Sequence, residues 1–119
     1  MIGALYRAGG QGLIDEAADF VQKHGKLGVG EVALTSAWGS LPSRYVIHSV
    51  GPRSGTFTNY RDFEGLLKIA FKNIIALALR NAYRSIAIPL LSAGVPFSLP
   101  GLIHCMIFYT IFLAFLKLF

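Results

Sequence analysis

Ser85-Ile-Ala-Ile-Pro-Leu-Leu-Ser-Ala-Gly-Val95 joins an unbroken apolar run to a turn of small residues. A short apolar run bounded by such a turn reads as a strand, and Ser85–Leu91 is expected to be buried on both faces. Upstream, from Arg61 to Tyr83, the residues Phe63, Leu66, Leu67, Ala70, Phe71, Ile74, Ile75, Leu77, Ala78 and Ala82 recur at helical spacing and make one wide apolar stripe. Before that helix, Arg44-Tyr-Val-Ile-His-Ser-Val50 is a β-branched strand closed by Gly51-Pro52, which cannot continue a central ladder. Strand, long helix and strand form a βαβ crossover, so a largely parallel sheet covered on both sides is expected. Ligands in such sheets lie beyond the carboxyl ends of the strands. Val50-Gly51-Pro52 and Leu91-Ser92-Ala93-Gly94 are therefore the candidate positions, and at the second, small side chains let backbone N–H groups approach an anion.

Further toward the N-terminus, Ile2–Arg7 reads as the last turns of a helix stopped at Gly9-Gly10, where a helix places its terminal glycine. A second helical pattern follows in Leu13, Ala17, Phe20 and Val21, with Asp15, Glu16 and Asp19 at its front and Lys23, His24 and Lys26 at its back, an order that suits the helix dipole. Glu31–Thr35 is a strand expected to end near Trp38-Gly39.

Composition bounds the reading. The chain has 119 residues, 54% hydrophobic, which suits one domain and excludes intrinsic disorder. Its single cysteine, Cys105, permits neither an internal disulfide framework nor a thiolate zinc cluster, so a reducing compartment, nucleus or cytoplasm, is expected. The net charge of +5 is scattered along the sequence rather than gathered in a run, which favours an ordinary solvated surface over a nucleic-acid groove. No secretory signal is read at the start. After Arg84 the only charged side chain is Lys117. His48, alone on a strand, reads as a hydrogen-bonded packing residue, His24 as a cation at a helix end, and Trp38 as packing at a strand end. His104 and Cys105 lack a third ligand, so no metal site is expected.

Gly30–Thr35, Leu41–Arg53 and Tyr83–Val95, in this order and spacing, resemble the macrodomain family, and their register is most similar to the macrodomains of multi-macrodomain poly(ADP-ribose) polymerase family members. The resemblance covers about residues 2 to 95. It implies a three-layer α/β/α fold that binds ADP-ribose, free or attached to proteins, with the diphosphate between two loops and no metal or other cofactor. Ser92, Ala93, Gly94 and Val95 match the second of those loops, and Phe97 is a candidate for the aromatic that stacks beside it. The strands, the adenine-side acid and the glycine-rich first loop that the resemblance places earlier have no match here, since Met1 falls inside the following helix; Ala8–Gly12 fits the family's helix end and not that loop.

The expected organisation is therefore an incomplete macrodomain over 1–95 and an atypical apolar tail over 96–119. Pro96 removes an N–H from the loop itself. For the tail three readings stand in order: a terminus produced by alternative splicing or intron read-through, a helix or strand filling a gap in the core, and a membrane anchor through 101–119, whose apolar stretch is short of the about 20 residues a spanning helix needs. The leading functional expectation is a binding module for ADP-ribose or mono-ADP-ribosylated proteins with weak affinity of its own. The alternatives are an ADP-ribosyl hydrolase and a membrane-associated interaction peptide without ligand. Exposed sheet edges also suggest self-association.

Overall fold

A computed structural model describes residues 2–53, 58–88 and 114–117. Helix α1 spans Ile2–His24, but Gly10 breaks it with φ 66° and ψ −163°, so it is two helical pieces joined at a kink. The break falls at the glycine pair where the sequence pattern stops, because a left-handed φ costs a side chain about 1–2 kcal/mol and costs glycine nothing. Beyond the kink Leu13 is fully buried, Ala17 and Phe20 are half-buried, and Val21 is 40% exposed.

Strands β1 (Val32–Ser36) and β2 (Tyr45–Ser49) pair with Val32 opposite Ser49 and Ser36 opposite Tyr45. They are antiparallel, which corrects the expectation of a largely parallel sheet. The physical reason is the length of the connection: residues 37–44 can turn a hairpin, whereas parallel neighbours need a crossover of roughly a dozen residues or more.

Helix α2 (Tyr60–Arg80) starts where Asn59 Oδ1 accepts from the Arg61 N–H at 2.9 Å, and Asp62 stands in its first turn. Its innermost residues are Phe63, Ala70, Ile74 and Ala78, one edge of the wider stripe read from the sequence. Ala82, assigned to that stripe, lies beyond the helix end, exposed and with φ 55°. The helix packs on β1 and β2, and α1 packs on β1.

Strand β3 (Ser85–Ile88) follows, and pairs antiparallel with β4 (Ala114–Lys117), Ile88 opposite Ala114 and Ser85 opposite Lys117. Only Ile88 of β3 is buried; Ser85 and Ala87 are exposed, so the expectation of burial on both faces fails over this part. Ala87 offers little apolar area to bury, and no described element covers its face. Among the described residues, no helix is long and apolar enough to cross a membrane.

Candidate ligand-binding site

The geometry of α2 sets the two ends of the molecule. Near its middle, Asn73 Nδ2 donates to the Gly30 carbonyl at 2.8 Å, and the Gly30 N–H donates to the Val50 carbonyl at 2.8 Å. The carboxyl end of β2 thus lies against α2, whose N-terminus continues three turns further. The helix then returns toward the start of β2, where the rings of Tyr83 and Tyr45 stack at 5.0 Å. Strands β2 and β3 therefore begin side by side.

The end of β2 combines a fully buried Pro52 with Ser49, whose buried Oγ has no hydrogen-bond partner among the described residues. Val50-Gly51-Pro52, one of the two strand ends singled out in the sequence, is thus brought close to α2. The other candidates, Ser92, Ala93, Gly94, Val95 and Phe97, lie outside the described residues, as do His104 and Cys105.

A second feature lies between α1 and the hairpin. Tyr6, Ala17, Phe20 and Val21 of α1 face Ala33, Thr35, His48 and Val50 across a cavity of about 290 Å³. Two of its polar side chains satisfy each other: Thr35 Oγ1 and His48 Nε2 share a hydrogen bond of 2.8 Å. Burial pushes the His48 imidazole below its ordinary pKa, with the Glu16 carboxylate opposing. A neutral, hydrogen-bonded histidine is a packing group, as the sequence suggested.

Glu16 is the residue that sequence reasoning undervalued. Placed by its sequence only at a helix front, it accepts from Trp38 Nε1 at 2.6 Å and from the Ser36 N–H at 3.1 Å, clamping α1 to the end of β1. The Trp38 and Ser36 donors hold its carboxyl below the usual range. Gly39 completes the clamp: at φ 61° it brings the Ser40 N–H to the Ala8 carbonyl at 2.9 Å, and a Cβ on Gly39 would collide with that carbonyl. The signal was the separation of Glu16 from Trp38, which no local pattern reports. His24 Nδ1 meets the Phe20 carbonyl at 3.2 Å, consistent with its place at a helix end.

The fold is that of a known family. The Macro domain family model matches residues 2–100. The chain belongs to the macrodomain family. It is 38% identical over 97 residues to mouse protein mono-ADP-ribosyltransferase PARP9, covering 80% of this chain and 11% of that protein. It is 38% identical over 94 residues to the O-acetyl-ADP-ribose deacetylase of Citrobacter koseri, covering 77% of this chain and 50% of the relative. A macrodomain of Oceanobacillus iheyensis solved with ADP superimposes with a TM-score of 0.69 at 32% identity, over 82% of this chain and 51% of that one. The chain thus spans about half the length of most of the relatives it matches.

Proposed function

We propose that this chain is an ADP-ribose-binding module, free ADP-ribose or mono-ADP-ribosylated protein being its ligand, at the end of the molecule where β2 closes. One observation carries the reading: the family match runs through residue 100 and so includes the small-residue turn Ser92-Ala93-Gly94-Val95. The Oceanobacillus relative, solved with ADP, supports the choice of ligand. In this proposal the amides of Ser92–Val95 donate to the diphosphate and distal ribose, with Phe97 stacking beside them. Oriented amides suffice for such an anion.

Of the two diphosphate loops that the family resemblance implies, these 119 residues carry a match to one. Fewer donors then oppose the same ordering cost. For the 119-residue chain alone the expected dissociation constant is on the order of 1 mM, about −4 kcal/mol. Calorimetry with ADP-ribose tests this. Gly94→Glu, which sets a carboxylate against the phosphates, is expected to abolish the heat; an unchanged isotherm would refute the assignment, and micromolar binding would refute the weak affinity.

The Citrobacter relative favours a second reading, hydrolysis of an ADP-ribose derivative. Release of ADP-ribose from a modified protein, lost in Gly94→Glu, would establish it.

A further inference from the structure

The cavity between α1 and the hairpin has a floor and a mouth of different chemistry. Ala33 and Thr35 alternate on β1, the register sets His48 opposite Ala33, and all three line the same space. Ala33 and Thr35 are buried and form the floor. Tyr6 comes from the helical piece before the Gly10 kink, and Ala17, Phe20 and Val21 from the piece after it, so the two pieces supply a mainly apolar wall. Lys26 and Val50 also line the cavity and are exposed, which places them at its mouth. Among the described lining residues Lys26 carries the charge, since burial favours the neutral form of His48. Nearby charged groups are engaged elsewhere: Lys23 pairs with Asp19 at 2.7 Å, and the Glu31 carboxylate accepts from the Gly28 N–H at 2.6 Å. Lys26 has no ionic partner among the described residues.

We propose that this cavity binds a small amphiphilic carboxylate, with its aliphatic body between α1 and the hairpin and its carboxylate at Lys26. An apolar cavity of about 150 Å³ stays dry and takes up benzene, so the space of about 290 Å³ here admits a chain of roughly eight carbons. Thr35 and His48 already satisfy each other, so the floor offers little to a polar ligand, whereas an aliphatic body gains by leaving water. The lysine at the mouth then selects among such bodies: an anionic head pairs with it, and a neutral or cationic head does not. The inference does not rest on the ADP-ribose reading, which concerns the amides of Ser92–Val95.

The test is equilibrium dialysis of the full chain against radiolabelled carboxylates. Binding is expected to tighten roughly fourfold for each methylene added from butanoate to octanoate, and to stop tightening at dodecanoate, which outgrows the cavity. Lys26→Gln weakens octanoate about threefold and leaves octanol unchanged, while Lys26→Arg binds octanoate like the parent chain. Ala17→Leu, which fills the cavity from the helix side, abolishes binding of both ligands, and circular dichroism confirms that the variant is folded. Lys72→Gln, on α2, changes neither. Saturating ADP-ribose does not displace octanoate. The proposal is overturned if octanoate fails to bind at several millimolar, or if Lys26→Gln binds it like the parent chain. Affinity that keeps rising to dodecanoate and ignores Ala17→Leu would overturn it too, since that describes adsorption to an exposed apolar surface. Displacement by ADP-ribose would do the same, by moving octanoate to the nucleotide site.

Discussion

Glu16 and His48 lie on facing elements, one on α1 and one on β2, and both hold protonation states that acid undoes. His48 is buried beside Thr35 with its pKa lowered from the ordinary 6.5. The unfolded chain therefore takes up a proton at this residue before the folded chain does, so its contribution to stability is complete above pH 6.5 and declines as pH falls through the folded pKa. Glu16, lowered from 4.5 by the Trp38 and Ser36 donors, contributes stability that is present above pH 4.5 and is lost as pH falls through its folded value. A profile of thermal midpoint against pH should accordingly fall in two stages. His48→Gln should remove the upper stage, because glutamine does not titrate yet can still hydrogen-bond Thr35. Glu16→Gln should remove the lower one. A single-stage profile in the parent chain would contradict both assignments. His48 was legible in the sequence, since a lone strand histidine flanked by β-branched residues has few uses other than packing. Glu16 was not, because a carboxylate at a helix front looks solvated until the turn after β1 carries Trp38 to it.

Helices were read more accurately than strands, and the reason lies in what each needs. The α2 pattern is local: its apolar spacing, Asn59 before it and Arg80 at its end are all visible in sequence, and the observed helix, Tyr60–Arg80, departs from that reading by three residues at most. Because the Asn59 side chain satisfies one of the N–H groups that the first turn leaves free, Asn59→Ala should destabilise the chain by about 1 kcal/mol. Urea unfolding with an unchanged slope and a lower midpoint would record it, and a midpoint equal to that of the parent chain would deny the cap its role. Strands β1 and β2 were located within about a residue, and β3 at its start, but their partners were not, and β4 was not read. Pairing direction depends on which neighbour the chain meets. The eight-residue link between β1 and β2 carries that information, being too short for a parallel crossover, while the long α2 connection points the other way. Burial of Ser85–Leu91 on both faces was inferred from composition alone; the described part shows that Ala87 is exposed.

At the scale of the molecule, the two ends of the strands carry different chemistry. Stacked Tyr45 and Tyr83 mark the beginnings of β2 and β3, whereas the end of β2 is held by Asn73, Gly30 and a buried Pro52. No local pattern reports this division, because Tyr45 and Tyr83 meet only through the return of α2. Family membership was legible from three spaced segments, but the candidate phosphate-binding residues Ser92–Val95 and Phe97 lie outside the described residues, and their role rests on the family match. The most direct test of that role is a titration of the isotopically labelled chain with ADP-ribose, followed by amide chemical shifts. The account predicts progressive shifts at Gly51 and at Ser92–Val95, approaching saturation at about millimolar ligand, with the Tyr45 and Tyr83 amides unmoved. Shifts centred on Tyr45 and Tyr83, or none anywhere at several-fold higher ligand, would contradict it.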